Sequence, residues 1–262
     1  MKIVKIMKIM LSDRLKHALV LILAVAWTAA TVPVHAGTGR EEAKPKTLKG
    51  IDVSHFSGEV NWDKVKTAGY SFAFAKATEG LDLLDPDFQD HWQAMKKAGL
   101  IRGAYHYYVT EDDPEEQAKF FITNANLQPG DYVPAVDIES IGHGTKPGLV
   151  EQFKKFLAIL ESHYGAKPII YTGPKFWNSH LDNHFGMYPL WIAEYGTEDP
   201  VDPRGWKEWH LWQWRENADV PGVEKGADLT VFNSLEKDFP SLLLKNQSPT
   251  PLPILEANPK EN

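Results

Sequence analysis

The stretch VPAVDIE (residues 133–139) sets the architecture expected for this chain. It is a short run of apolar and β-branched residues, which is typical of a buried strand, and it ends in two carboxylates, Asp137 and Glu139. Before it, Asp113-Pro114 begins a helical pattern; after it, apolar residues at helical spacing run over 150–160. The stretch is therefore predicted to be one strand in a chain where strands and helices alternate.

Seven further runs are equally short, β-branched or aromatic, and bounded by turn residues. They read GIDVS (50–54), SFAFAKA (71–77), IRGAYHYY (101–108), PIIYTG (168–173), LWIAEY (190–195), HLWQW (210–214) and DLTVFN (228–233). Alternation with helices predicts a parallel sheet, and about eight strands predict an α/β fold, an irregular, TIM-like β/α barrel. The gaps after Tyr195 and Trp214 lack helical periodicity, so we expect fewer helices in the last third. An open doubly wound sheet is the alternative.

The two ends of the chain are set apart from this domain, which is predicted to span residues 50–244. Lysines and an arginine precede an apolar run at 18–30 and a small-residue site at Val34-His35-Ala36, so residues 1–36 are predicted to be a signal peptide. An uncleaved anchor is the alternative. Residues 37–49 have the composition of a linker, and 245–262 that of a disordered tail. Either reading of the N-terminus predicts export, to the periplasm or outside the cell.

Composition and missing motifs exclude several function classes. The net charge of −7 argues against a general nucleic-acid binder, and the absence of cysteine excludes disulfides and thiolate chemistry. The sequence contains no phosphate-binding glycine motif, no HExxH and no GxSxG. We therefore expect no cofactor, no metal and no serine nucleophile.

The carboxylates at the end of VPAVDIE carry the most specific chemical signal. Residues two apart on a strand point to one face, so the Cβ atoms of Asp137 and Glu139 are expected roughly 6–7 Å apart. Hydrolysis of a glycosidic bond needs two such groups, one to protonate the leaving oxygen and one to stabilise positive charge. A metal site or a solvated strand end are the alternatives. Asp52 ends the first strand and Asp228 begins the last, so a closed barrel would bring four carboxylates to one rim, although each of these two aspartates could instead serve a turn.

Other polar and aromatic residues on the strands are candidates for substrate contact. Tyr107, Tyr171 and Trp191 lie at or near strand ends, where ring faces could stack on sugars. Lys76 is expected to pair with the carboxylates. His106 could donate a hydrogen bond to substrate or could be a core histidine.

In their order along the chain, eight motifs resemble those of glycoside hydrolase family 25, the Chalaropsis-type lysozymes (N-acetylmuramidases). They are GIDVSHFSGEVNW (50–62), FAFAKATEG (72–80), GAYHYY (103–108), PAVDIE (134–139), IIYTG (169–173), PLWIAEY (189–195), LWQW (211–214) and ADLTVFN (227–233). The resemblance covers nearly the whole domain. It implies an irregular barrel that hydrolyses the β-1,4 bond between N-acetylmuramic acid and N-acetylglucosamine.

The resemblance also implies roles. Glu139 corresponds to the general acid and Asp137 to its electrostatic partner, which orients the substrate acetamido group; Asp52 and Asp228 are the further acidic residues. The predicted substrate contacts are Asp52, Asp228, Tyr107, Tyr171, Lys76, His106, Trp191 and Gln213. Two positions depart from the family pattern: Ser57 stands where glutamine is common, and Thr230 where asparagine is common.

We therefore predict a monomeric lysozyme whose partner is the peptidoglycan glycan strand, without nucleic acid, and with a membrane only if the N-terminal segment stays uncleaved. Substrate assistance by the acetamido group is part of this prediction. A non-catalytic peptidoglycan-binding barrel and a glycosidase acting on chitin-type polymers are the alternatives.

Overall fold

A computed structural model describes residues 48–142, 148–233 and 236–246 of the chain. The predicted signal peptide, almost all of the predicted linker and most of the predicted tail lie outside these residues. Within the described part, no helix is long and apolar enough to cross a membrane.

Nine strands and five α-helices follow one another along the described chain. The strands are β1 (Lys49–Val53), β2 (Phe72–Glu79), β3 (Leu83–Leu84), β4 (Ile101–Tyr107), β5 (Ala135–Asp137), β6 (Ile169–Thr172), β7 (Leu190–Ala193), β8 (Leu211–Ala218) and β9 (Ala227–Phe232). The helices are α1 (Trp62–Thr67), α2 (Phe88–Lys97), α3 (Pro114–Ala125), α4 (Leu149–Tyr164) and α5 (Pro174–His180), with 3₁₀ turns at His55–Ser57 and Glu236–Leu242.

Eight of the strands close into a barrel in the order β1-β9-β8-β7-β6-β5-β4-β2, and pairing of β2 with β1 completes the ring. The ninth, β3, forms a short antiparallel hairpin with the end of β2. The predicted irregular β/α barrel is confirmed, and the open-sheet alternative is wrong. As predicted, the helices thin out: in the described residues, no α-helix follows β7.

The last strand differs from the expected parallel arrangement, because β9 runs antiparallel to both β8 and β1. Only residues 219–226 connect β8 to β9. A parallel return needs a crossover of a dozen or more residues, whereas an antiparallel return can be short. The reversal places the start of β9 beside the end of β1, with Asp228 opposite Asp52.

Large aromatic side chains fill the inside of the barrel. Phe74 packs between Tyr132 and Trp191, with ring centroids 4.5 and 4.6 Å apart. Gly103 makes room for this ring, because a Cβ there would lie 2.2 Å from Phe74. The barrel is thus a packed core below its mouth, so a cavity inside the barrel must lie above this aromatic layer.

The helices cover the outside of the sheet through a second apolar layer. α3 and α4 pack against each other there and bury Phe121, Phe153 and Phe156. The predicted start of α3 is confirmed: the Asp113 carboxylate accepts hydrogen bonds from the backbone N–H groups of Glu115 and Glu116, which caps the helix.

At the end of the barrel where the parallel strands begin, one ion pair is buried. Arg102 Nε lies 2.7 Å from Asp131 Oδ1, and Arg102 Nη2 lies 3.1 Å from Asp131 Oδ2. The guanidinium also donates to the carbonyl of Trp92 at 2.9 Å and stacks on that indole. Asp131 in turn accepts from the backbone N–H of Gln128. Every charge in this cluster therefore has an opposite charge and hydrogen bonds around it.

Candidate active site

Four carboxylates from distant parts of the chain surround one cavity of about 220 Å³ at the other end of the barrel. Asp52 lies in β1, Asp137 ends β5, Glu139 follows two residues later, and Asp228 lies near the start of β9. The carboxyl ends of the parallel strands meet at this mouth, and the reversed β9 adds its first residues to the same rim. Barrel closure therefore brings together the carboxylates that the sequence singled out.

Asp137 and Glu139 differ in their exposure to this cavity. Asp137 is 9% exposed, and its Oδ1 accepts no hydrogen bond from the described residues. Burial raises its pKa well above the ordinary value, and the neighbouring Glu139 raises it further. Glu139 is exposed at the mouth. Loss of hydration in the concave site raises the pKa of Glu139, as does the charge of Asp228, whereas Lys76 lowers it.

Asp52 and Asp228 form a second pair across the β1–β9 junction, where their backbones are in register. Gln213 Nε2 donates to both oxygens of Asp52 at 3.0 Å and to Asp228 Oδ2 at 3.3 Å, while the backbone N–H of Asn217 donates to Asp228 Oδ1 at 2.7 Å. Burial raises the pKa of Asp52 well above its ordinary value, and Asp228 adds to that rise. Burial also raises the pKa of Asp228, and the Asn217 N–H opposes this rise.

Gln213 is oriented by its oxygen. Its Oε1 accepts from the Tyr171 hydroxyl at 2.8 Å and from the Tyr195 hydroxyl, so its NH₂ group must face the two aspartates. The side chain is only 1% exposed. Gln213, a predicted substrate contact, lines the cavity, and the hydrogen bonds of its amide to Asp52 and Asp228 also make it a residue that positions these aspartates.

Thr230, one of the two departures from the family pattern, belongs to the same network. Its hydroxyl lies 3.5 Å from Asp52 Oδ2, which it faces as a donor, and it accepts from the indole N–H of Trp191 at 3.2 Å. The threonine therefore keeps a polar group beside Asp52. The other departure, Ser57, is buried, and its hydroxyl accepts from the backbone N–H of Ser54 at the turn after β1.

Lys76 reaches the site because it lies two residues after Phe74 and so shares the inner face of β2 with that ring. The pairing of β2 with β4 shifts between Lys76 and Thr78, which is a β-bulge. The bulge brings Glu79 onto the same face as Lys76, although three residues separate the two along the strand. The Lys76 ammonium bonds to Glu79 and lies 5.2 Å from the ring of Tyr107. Its direct partner is thus Glu79, while its charge still lowers the pKa of Asp137 and Glu139.

Aromatic side chains form much of the remaining wall. Tyr107, Tyr171 and Trp191, all predicted contacts, line the cavity, and the Tyr107 hydroxyl lies 3.0 Å from Ser140 Oγ. Three further lining residues were not singled out in the sequence: Ser54, Phe56 and Tyr105. Alternation along β4 could have identified Tyr105, since it shares a face with Tyr107.

The prediction that His106 contacts substrate is wrong. His106 is fully buried, with its ring nitrogens 2.8 Å from Thr78 Oγ1 and 3.1 Å from Gln117 Oε1. It stacks on Phe156 of α4, outside the barrel wall. Burial lowers its pKa to about 3. Since neighbours on a strand point to opposite faces, placing Tyr105 and Tyr107 in the cavity necessarily turns His106 toward the helices.

Comparison with known proteins gives a consistent set of relatives. Residues 51–223 match the model of glycosyl hydrolases family 25, a range that contains Asp52, Asp137 and Glu139 and ends just before Asp228. The uncharacterized protein YegX of Escherichia coli (strain K12) is 34% identical over 198 residues, which is 74% of this chain and 72% of YegX. Lysozyme M1 of Streptomyces globisporus is 32% identical over 215 residues, which is 75% of this chain and 73% of that protein. The crystal structure of the bacterial lysozyme from Streptomyces coelicolor superposes with a TM-score of 0.72 at 30% identity, over 76% of this chain and 97% of that one.

Proposed function

This chain belongs to glycosyl hydrolases family 25, and from that premise we propose that it is a lysozyme that hydrolyses the β-1,4 bond between N-acetylmuramic acid and N-acetylglucosamine in peptidoglycan. The observation that carries the proposal is the ring of four carboxylates around one cavity, with an exposed glutamate whose pKa is raised. A carboxyl group whose pKa is raised and which faces solvent holds its proton to higher pH, which suits it to donate that proton to a leaving oxygen.

Glu139 is assigned the role of general acid. Two neighbours set its proton affinity in opposite directions, Asp228 raising the pKa and Lys76 lowering it. In the proposed step the Glu139 carboxyl protonates the glycosidic oxygen as the bond to the anomeric carbon breaks. The carboxylate that remains can then accept a proton from the water that attacks in the second step.

Asp137 is assigned to the substrate acetamido group. Its buried Oδ1 has no hydrogen-bond partner among the described residues, which leaves it able to accept the acetamido N–H. That bond would hold the acetamido oxygen toward the anomeric carbon, where it acts as the nucleophile. Water would then open the resulting cyclic intermediate and restore the acetamido group.

Asp52 and Asp228 are assigned to electrostatic stabilisation of the positive charge that develops on the sugar. The groups that hydrogen-bond them are donors: the Gln213 amide, the Thr230 hydroxyl and the Asn217 N–H. These donors oppose the rise in pKa that burial causes in Asp52 and Asp228, and they fix both carboxylates before substrate arrives, so no reorganisation is needed during the reaction. Tyr107, Tyr171 and Trp191 supply ring surface for the sugars.

Extracytoplasmic action and a monomeric state are part of the proposal. The basic and apolar pattern of residues 1–36 supports export. Amino-terminal sequencing of exported protein should give a start near Gly37. A start at Met1 would instead favour the uncleaved anchor.

Digestion of purified peptidoglycan tests the activity directly. After reduction with borohydride, mass spectrometry identifies the sugar at each new reducing end. We expect new muramitol ends with the native enzyme and none with Glu139→Gln, since removal of a general acid costs on the order of 10²–10⁴ in rate. Wall binding without new ends would instead support the non-catalytic barrel, and release of chitin oligomers alone would support the chitin-type glycosidase.

A further inference from the structure

A second cavity, of about 250 Å³, adjoins the proposed catalytic cavity. The two share five lining residues: Asp52, Ser54, Phe56, Tyr105 and Asp228. Phe56 lines both and is 73% exposed. The space therefore continues from the carboxylates past an exposed aromatic ring, and a chain molecule cut at the first cavity has room to extend into the second.

The outer wall of this second cavity carries one cationic residue, Lys225. No ion pair to Lys225 forms within the described residues, not even with Asp228 or Asp52 in the same wall. Its side chain is exposed. A lone ammonium in a cavity whose inner end is acidic offers an anion one place to bind, away from the aspartates.

The backbone around Lys225 is held in place by the turn after β1. The Lys225 N–H donates to the Ser57 carbonyl, and the Glu224 N–H donates to the Glu59 carbonyl, both at 3.0 Å. The Glu224 carboxylate accepts from the Glu59 N–H at 2.9 Å, and Val60 pairs with Val223 in a β-bridge. Lys225 is thus presented from a fixed backbone.

Resting on the proposed function, we propose that the second cavity receives the acid substituent of a muramic acid unit of the glycan and that Lys225 pairs with a carboxylate carried by that substituent. The sugar rings of peptidoglycan are uncharged, and its carboxylates lie on the muramic acid side chain. They belong either to the free lactyl group or, where the lactyl group is amide-bonded, to the peptide stem. Lys225 would make this chain prefer strands with such carboxylates over chitin-type strands.

Binding measured on a Glu139→Gln background tests this without turnover. The probes are a tetrasaccharide of alternating N-acetylglucosamine and N-acetylmuramic acid with peptide stems, the same tetrasaccharide after amidase removes the stems, and chitotetraose. Because an exposed ion pair is weak, we expect Lys225→Met to weaken binding of a muramic ligand about three- to fivefold. The loss should shrink at high salt, and chitotetraose should be unaffected.

The pattern of losses identifies the source of the carboxylate. If Lys225→Met weakens binding only of the ligand with stems, the partner of Lys225 is a stem carboxylate. If it weakens binding only after the stems are removed, the partner is the lactyl carboxylate. If it weakens binding of both ligands, either carboxylate can pair with Lys225. Lys225→Arg should retain binding, and Lys97→Met at the end of α2 should change nothing. An equal loss for chitotetraose, no loss for either muramic ligand, or no binding at all would overturn the inference. Absence of new reducing ends with this binding pattern intact would refute only the lysozyme activity.

Discussion

The two ends of the barrel bury charge in opposite ways. Where the strands begin, Arg102 and Asp131 form a closed, two-bonded ion pair. At the mouth, four carboxylates share one cavity, and the lysine that lines it, Lys76, is bonded to Glu79. Buried charge is costly wherever it occurs, but of the two ends only the mouth holds like charges together with raised pKa values. Unbalanced charge, and not burial alone, therefore marks the site.

Unpairing the closed cluster should give the largest effect. Asp131→Asn leaves the Arg102 guanidinium buried without a counter-charge, and we expect a loss of about 3 to 5 kcal/mol in the free energy of unfolding. Activity per folded molecule should be unchanged, since the pair lies away from the cavity. Urea denaturation and the muramitol assay measure the two quantities. Replacing both members by Met and Leu should recover much of the stability; a loss in the double variant as large as in the single one would contradict this account.

Removing the Gln213 amide, the neutral donor to the aspartates at the mouth, should give the second-largest effect. Gln213→Met takes the NH₂ group away from Asp52 and Asp228. We expect kcat to fall by roughly tenfold or more, because the aspartates lose the donor that positions them and a hydrogen bond to a charged group is worth about 1.5–3 kcal/mol. Gln117→Met is the matched control, since Gln117 is equally buried but bonds His106 and Val109 outside the barrel. Gln117→Met should lower the free energy of unfolding and leave kcat unchanged. Equal losses of kcat in both variants would reduce Gln213 to a structural role.

Neutralising one charge at the mouth should have the opposite effect on stability from Asp131→Asn. The pKa of Asp137 is raised in the folded state, so its ionised form opposes folding above that pKa. Asp137→Asn should therefore add about 1 kcal/mol or more at pH 7 while it impairs turnover. The gain should vanish below about pH 4, where the carboxyl is protonated in both states. Thermal melts at the two pH values check this, and destabilisation at pH 7 would refute it.

The smallest effect expected is a shift of the pH–rate profile. The acid form of Glu139 is needed, so kcat/KM should fall as pH rises through its raised pKa. Asp228→Asn removes a charge that raises this pKa and should move the alkaline limb to lower pH; Lys76→Met removes a charge that lowers it and should move the limb higher. Each shift should be a fraction of a pH unit and should shrink with salt, because Glu139 is exposed. If the alkaline limbs of the two variants moved in the same direction, Glu139 would be excluded as the titrating acid.

Local sequence patterns were enough to predict the eight barrel strands, the cap of α3 and the four carboxylates. They could not give the direction of β9, because the apolar pattern of a strand is the same whichever way the strand runs. Only the shortness of the connection between β8 and β9 favours the antiparallel direction. They also missed β3 and α5, which are too short for a period to emerge.

Side-chain partners were harder to predict than strands. Tyr105, His106 and Tyr107 are consecutive residues of similar character. Only knowing which face of β4 points into the barrel distinguishes the two cavity tyrosines from the core histidine. No local pattern indicated that Lys225 lines a cavity, because the residues that fix its backbone, Ser57 and Glu59, lie far away along the chain. Gln213 was recognised, but its role depends on the two hydroxyls that orient it.

The reversed closing strand also sets an order of events during synthesis. Asp52 lies in the first strand of the barrel and Asp228 in the last, and their strands pair directly. That junction cannot form until nearly the whole domain has left the ribosome, and contacts so distant in sequence form slowly. An incomplete chain lacks the last carboxylate and the strand that seals the ring. The cutting site is therefore assembled only as the barrel is completed.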